Sequence, residues 1–448
     1  MSCPHCQSKG HFQDQTNNLT NRSFPPTTHS AITHPPQQPR YHAPAPSPTI
    51  SAKPQENNKL PEGPLITGIE IQEFGFEVNN MARTGRDVAQ YTPGGTATTT
   101  NIALRIHTDA GITGEYINSR IHDAAAIRQL ADMLIGQDAL ERERLYQEMK
   151  RAGMQNGRMG VGLIDIALWD IAGKVHNAPI YQLLGGYRKR LPTYASTYGG
   201  DETPGGLSSP EAYADFAEQC LDMGYPAYKI HPWRHGPVQR DVDMALEVAK
   251  RVGGKMDLMW DASCKYETLA DTVKVGRALD EAGYYWYEDP YKDTGQSAFG
   301  HKKLRQLVKT PLLMTEMVRM LEPHVDFALA GGTDFLRADP DFDGGITGAM
   351  KIAHAAEGLG LDVEIHASNA ARRHSMAAIR NSNYYEMALV HPNVGPYNPP
   401  VILNPEYQET LEGINKDGTV PVPEGPGLGI DYDWDYITKH TTASVEYK

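Results

Sequence analysis

The chain has 448 residues, a formal net charge of −13 and 40% hydrophobic residues. That length holds two or three domains or one large α/β barrel, and the acidic balance excludes a nucleic-acid-binding or anionic-membrane surface. No apolar run is long enough to span a bilayer, no apolar leader opens the chain, and four cysteines are too few for a disulfide scaffold, so a cytoplasmic protein is expected.

Residues 1–63 are rich in Pro, Gln, Asn, Ser, Thr and His and lack apolar periodicity. Such a segment buries too little surface to offset the entropy of ordering, and a disordered tail is expected. Cys3, Cys6 and His11 (or His5) offer three zinc ligands, but a structural zinc site takes four and no further cysteine lies nearby, so incidental thiols are the expectation. Next, "ITGIEIQEFGFEV" alternates like a strand, and "TTNIALRIHTDAGITGE" reads as two strands joined at Asp109-Ala110-Gly111. Helical periodicity follows in "DAAAIRQLADMLIG" and "MGVGLIDIALWDIAGKVHN". Residues 64–190 therefore form an α+β unit.

From Leu191 the pattern becomes strand, then helix, repeatedly. The strands are "PTYAST", "AYKIHP", "DLMWDAS", "YYWYEDP", "PLLMTEM", "DFLRADP", "DVEIHAS" and "YYEMAL". Between them lie amphipathic segments such as "DVDMALEVAKRVG", with Val242, Ala245, Leu246 and Ala249 on one stripe. Eight strands separated by helices predict a barrel of the (β/α)₈ type over 191–398. Residues 399–448 are a Gly/Pro-punctuated return segment.

The last residues of the strands carry the chemistry. They are Lys229 and His231, then Asp261, Glu288, Glu316, Asp339, His366 and Glu386, each about one βα unit apart. A helix cap or a solvated strand end explains any one of them alone. The set tracks the strand ends, where barrel enzymes build their active sites. Residues i and i+2 of a strand share a face, so Lys229 and His231 project together. Asp261, Glu288 and Glu316 make an all-oxygen site suited to Mg²⁺ rather than zinc. His366 approaches from the opposite side, and Asp339 can hold its tautomer.

In order along the chain, "ALWDIAGKVHNAPIYQLLGG", "YEDP", "MTE", "DPDFDGGITGAMKIA", "EIHAS" and "PGLGIDYD" resemble segments of the enolase superfamily, in its mandelate racemase subgroup. The resemblance implies an α+β capping domain over a modified TIM barrel, (β/α)₇β, with the C-terminal segment returning to the cap. It implies one Mg²⁺ on Asp261, Glu288 and Glu316 and abstraction of a proton α to a carboxylate through an enediolate. Asp339 and His366 match the His–Asp dyad, with Asp341 and Asp343 left to cap or face solvent. Glu386 matches the acid that hydrogen-bonds the developing enolate. The usual Lys-x-Lys of the second barrel strand is Lys229-Ile230-His231 here, so His231 inherits the base and His366 handles the leaving group, with the roles reversed for the opposite substrate configuration.

The expected reaction is dehydration of a sugar acid or other hydroxy acid. Racemisation or epimerisation, lactone cycloisomerisation, and a non-catalytic metal-binding or structural protein with this fold are the alternatives. The polar stretch "NNMARTGRDVAQYTPGGTATTT", with Arg83, Arg86 and Tyr91, suits hydroxyls and carboxylates, although plain solvation explains it equally well. Trp233 and Arg234 follow the second barrel strand and are expected to border the pocket. The partners implied are a small carboxylic acid and further copies of the chain, with no nucleic acid and no membrane.

Overall fold

A computed structural model describes residues 63–84, 88–119, 122–396 and 398–448, and the backbone alone at 83, 84, 88 and 89. The tail up to residue 62, with Cys3, Cys6 and both histidines, lies outside the described residues, as do Arg86 and the side chain of Arg83. The described residues belong to one compact unit.

The first element is a long antiparallel hairpin of β1 (Ile66–Thr84) and β2 (Val88–Thr108), followed by β3 (Thr113–Asn118). Its burial pattern changes face midway. Ile69 and Ile71 are buried on one face, then Phe74, Phe76 and Val78 on the other, while β1 stays in unbroken register with β2 from Gly68 to Asn79. Ile69 and Ile71 face the helices α1 (His122–Leu134), α2 (Arg142–Ala152) and α3 (Val161–Val175) in the main core. Phe76, Val78 and Met81 instead pack with Tyr198, Leu389 and Val394 at the end of the barrel. The outer half of the hairpin thus covers the mouth of the barrel.

After the short α4 (Ile180–Leu183) the barrel begins. Its strands are β4 (Arg190–Thr197), β5 (Ala227–Ile230), β6 (Asp257–Asp261), β7 (Trp286–Glu288), β8 (Leu312–Met314), β9 (Phe335–Ala338), β10 (Asp362–Ile365) and β11 (Tyr385–Val390). They form one parallel sheet in the order β10-β9-β8-β7-β6-β5-β4-β11. Seven helices alternate with them: α5 (Pro210–Met223), α6 (Val238–Val252), α7 (Leu269–Ala282), α8 (Ala298–Arg305), α9 (Leu321–Leu329), α10 (Gly345–Gly358) and α11 (Ala370–Ala378). No helix follows β11 directly, so the barrel is (β/α)₇β, as expected. After β12 (Thr419–Pro421) and α12 (Trp434–Lys439), the last strand, β13 (Thr441–Tyr447), pairs with β1 of the cap. None of these helices is long and apolar enough to cross a membrane. The stripe expected on α6 is displaced by one position: Asp241, Met244, Ala245, Val248 and Val252 are buried. Asp241 takes part because Lys265 Nζ and Tyr266 Oη satisfy its carboxylate.

The barrel interior is layered by the two-residue period of its strands. Tyr194, Ala227, Met259, Trp286 and Leu313 form an apolar layer. Two residues further on, the same faces carry Ser196, Lys229, Asp261 and Glu288. Among the described residues no ladder joins β10 to β11. There the buried Glu364 carboxylate accepts hydrogen bonds from Asn383 Nδ2 at 2.8 Å and Tyr384 N at 3.3 Å.

Burial pushes the Glu364 carboxyl up to about 7, against the pull of those donors. A carboxyl with a raised folded-state pKa binds its proton more tightly folded than unfolded. Its contribution is full below the ordinary range near 4.5 and is lost as pH rises through 7. The melting temperature is therefore expected to fall by a few degrees between pH 5 and pH 8. Glu364→Gln should flatten part of that slope, leaving the parts due to Asp165 and Glu288, whose carboxyls burial also pushes to about 7. A variant melting curve that falls as steeply as wild type assigns the seam no titrating role.

Candidate active site

Asp261, Glu288 and Glu316 come together at the ends of β6, β7 and β8, with one carboxylate oxygen of each within 4.8 Å of the others. Asp261 and Glu288 close their strands on the inward face. Glu316 lies one residue out of phase, and the backbone corrects this: Thr315 has φ 93°, and its hydroxyl donates to Arg337 O. Ser263, Cys264, Asp289 and Ala367 also take positive φ just beyond strand ends. Such backbone strain collects where a fold holds side chains for function.

The triad is buried among cations. Lys229 Nζ stands 3.1 Å from Asp261 Oδ2, 3.0 Å from Glu288 Oε2 and 3.0 Å from Glu386 Oε1. Burial alone pulls the Lys229 ammonium pKa down, but Glu288 and Glu386 hold it well above the usual lysine value. The same cation, with His231, holds Asp261 well below the carboxylate range despite its burial. Glu288 is pushed up to about 7, by burial first, with Arg337 and Lys229 opposing.

Arg337, in the middle of β9, was not singled out in the sequence. It is fully buried and sits 3.0 Å from Glu288 Oε1 and 2.5 Å from Glu386 Oε2, and Nη2 donates to Tyr194 Oη at 3.1 Å. The signal was present, since Arg337 precedes Asp339 by two and so shares its inward face. Glu386 accepts from Lys229, Arg337, Ser196 Oγ (2.8 Å) and Ala367 N (2.6 Å). Lys229 and Arg337 hold it well below the usual range against burial, so it is ionised. It anchors the two buried cations, Lys229 and Arg337.

Two imidazoles flank the triad. His231 Nδ1 donates to Thr197 O at 2.7 Å, leaving Nε2 directed at the triad, 2.9 Å from Asp261 Oδ2. His366 Nδ1 donates to Asp339 Oδ2 at 2.6 Å, leaving Nε2 3.5 Å from Glu316 Oε1. Both rings sit above the usual histidine pKa. Burial works against this in each, Asp261 outweighs it for His231, and Glu316 and Asp339 outweigh it for His366. Phe342 stacks on His366 with ring centroids 6.0 Å apart, and Arg319 lies over the Phe342 face at 3.8 Å.

Of the neighbouring aspartates, Asp343 caps as expected and Asp341 differs from expectation. Neither faces solvent. Asp343 caps, accepting from Asp339 N and Met320 N. Asp341 is buried against Arg372 and Tyr116, because it carries half the counter-charge of that guanidinium.

The proposed pocket residues separate similarly. Trp233 is buried, donates through Nε1 to Asp201 O at 2.8 Å and lies under Arg240, so its polar group is already used within the protein. Arg234 is exposed. Tyr91, from the cap hairpin, packs against the His391 ring at 4.9 Å, and His391 Nε2 stands 3.3 Å from Asp201 Oδ2. His391 was also missed, since it lies beyond the end of its strand.

The donor set fits a small hard cation. It offers carboxylate oxygens only, from three strands, and Glu288 Oε1 is buried without a hydrogen bond even though Arg337 lies beside it. Mg²⁺ prefers such ligands and leaves positions open for substrate.

Comparison with known proteins agrees with this architecture. Residues 78–185 match the mandelate racemase/muconate lactonizing enzyme N-terminal domain, and residues 212–436 match the enolase C-terminal domain-like family. The chain is 25% identical over 340 residues to a D-gluconate dehydratase of Thermoproteus tenax, covering 72% of this chain and 65% of that protein. It is 28% identical over 359 residues to a D-galactarolactone cycloisomerase of Agrobacterium fabrum, covering 76% of this chain and 90% of that one. A crystal structure of D-glucarate dehydratase from Agrobacterium tumefaciens, complexed with magnesium, superposes with a TM-score of 0.75 at 29% identity, over 85% of this chain and 99% of that one. Cap, barrel and matched segments place the chain in the mandelate racemase/muconate lactonizing enzyme family of the enolase superfamily.

Proposed function

We propose that this protein is a Mg²⁺-dependent hydro-lyase that removes water from a sugar acid. The observation that carries the reading is the pair of imidazoles, each fixed through Nδ1 and turned through Nε2 toward the carboxylate triad from a different barrel strand. Asp261, Glu288 and Glu316 would hold the ion. Bound there, Mg²⁺ would draw charge from the substrate carboxylate and lower the cost of the enediolate.

The two rings are not equivalent. The Nδ1–H of His366 meets a carboxylate, which raises ring basicity, whereas that of His231 meets a neutral carbonyl. His366 is therefore the better base and His231 the better acid, the reverse of the assignment favoured by the Lys-x-His pattern. In the proposed step, His366 Nε2 takes the proton α to the carboxylate. His231 Nε2–H gives a proton to the β-hydroxyl, the C–O bond breaks and water leaves. The enol product tautomerises to a 2-keto-3-deoxy acid. Lys229, nearly unexposed, offsets part of the triad's charge and holds its shape rather than touching substrate. Substrate specificity for a polyhydroxy acid is supported by the gluconate and glucarate relatives.

The test is a panel of aldonic and aldaric acids incubated with enzyme and Mg²⁺, with keto-acid product read by semicarbazide. Product from at least one acid is expected. An opposed acid and base also suit epimerisation, and one relative is a cycloisomerase. Stereochemical inversion or lactone opening without keto acid would replace the proposal by one of those reactions. Binding of acids without any α-proton exchange would leave a non-catalytic protein.

A further inference from the structure

The dyad is held from behind. α11 places Arg372, Arg373 and His374 consecutively, and all three are buried. Arg373 and His374 bind the returning C-terminal segment, through Gln408 O, Pro421 O and Leu428 O. Arg372 turns the other way, to the active site. Its Nη2 lies 2.7 Å from Asp339 Oδ1 and 2.5 Å from Asp341 Oδ2, and its Nε donates to His366 O at 2.7 Å. Its Nη1 donates to Tyr116 Oη at 3.1 Å. Tyr116 belongs to β3 of the capping sheet. Its hydroxyl donates to Asp341 Oδ1 at 2.6 Å and accepts from Asn369 Nδ2 at 2.7 Å.

We infer that Arg372 is a positioning residue for His366, and that the capping domain holds it in place through Tyr116 and Asp341. The inference rests on the reading of His366 as the base. A carboxylate can turn about its Cβ–Cγ bond and present either oxygen. At Asp339 that freedom is removed, because Oδ1 is taken by Arg372 and by Asp341 N at 2.8 Å. Oδ2 is then left in one direction, toward His366 Nδ1. Arg372 also grips the backbone of the base at His366 O, one residue before Ala367 with φ 62°. Only a forked guanidinium reaches all these acceptors at once; an ammonium donates from a single point. The cap supplies the remaining constraint, because Tyr116 and Asn118 hold Asp341, the second carboxylate on the fork.

The experiment uses the full chain with Mg²⁺ and compares Tyr116→Phe, Asp341→Asn and Arg372→Lys with wild type. Tyr116→Phe removes one oxygen from a buried site and is the variant least prone to misfold. It should lower kcat about 10-fold, and Arg372→Lys about 100-fold, with KM and Mg²⁺ affinity within about twofold, since misplacing a catalytic group costs rate and not ground-state binding. Nitrogen chemical shifts of the His366 ring, in histidine-labelled protein, should lose the single Nδ1-protonated form in each variant. Wild-type kcat together with unchanged ring shifts in Tyr116→Phe would overturn the inference. So would losses shared equally among kcat, KM and Mg²⁺ affinity, which mark a merely structural residue. His366→Asn serves as control. Full turnover in it removes the base assignment alone, while the ring shifts still decide whether Arg372 positions His366.

Discussion

Glu288→Gln is expected to abolish turnover and weaken Mg²⁺ binding by more than about 100-fold while leaving the protein folded. Even residues that only orient metal ligands cost 10- to 100-fold in affinity when removed, and a ligand should cost more. Folding should survive because of where the carboxyl sits without a cation. Burial pushes Glu288 up to about 7, so near neutral pH it is protonated much of the time, and glutamine is close in shape to the protonated acid. The glutamine amide nitrogen would face one of Lys229 and Arg337, the cations beside the two carboxylate oxygens. The stability loss should be about that of one buried hydrogen bond to a charged group, roughly 1.5–3 kcal/mol. Two measurements separate the effects. Mg²⁺ should raise the melting temperature of wild type by mass action and leave that of the variant unchanged. Calorimetric titration should give the affinities directly. A variant with wild-type Mg²⁺ affinity, or wild type fully active after exhaustive chelation, would remove the triad as the metal site.

The strand ends were readable because simple rules govern them. Side chains alternate along a strand, and polar residues at the ends of otherwise apolar strands stand out, which located Asp261, Glu288, Asp339 and His366 at barrel strand ends and gave eight strands in their correct places, whereas Glu386 lies near the start of its strand rather than at the end. The same rule, applied one step back, reaches Arg337, whose charge within the strand "DFLRADP" needed only to be read as inward-facing. Arg372 was out of reach by this route. It lies on a helix, and its partners come from two other segments, Tyr116 from β3 and Asp339 and Asp341 from the loop after β9, so only the closed fold puts them together. Asp341 was misread for the same reason: an aspartate in a loop looks solvated until its arginine is found. The change of buried face in β1 depends on what covers each half of the strand, helices of the cap first and the end of the barrel next, which alternation alone does not announce. Trp233 was read as a pocket wall from its place after a strand, whereas the indole turned inward and used its N–H on Asp201 O.

His231→Asn and His366→Asn are expected to fail in different ways. With His366 as base, His366→Asn should lose both product formation and exchange of the substrate α-proton with D₂O, because no enediolate forms. His231→Asn should lose product but keep exchange, since the proton still moves to His366, exchanges there with solvent and returns. Removing a general acid or base costs about 10²–10⁴-fold in rate, so the two exchange rates should differ by at least about 100-fold. The partners of Nδ1 set the direction. Asp339 carries a charge that stabilises a protonated His366, and Thr197 O offers His231 only a dipole. Asparagine keeps part of each ring's hydrogen bonding, so neither variant should disturb the triad, and Mg²⁺ affinity should stay near wild type in both. The opposite outcome, exchange kept in His366→Asn and lost in His231→Asn, would restore His231 as base and imply a substrate presenting its α-proton to β5 rather than β10. Full product formation by both variants would mean that neither imidazole moves a proton and that the proposed chemistry is wrong.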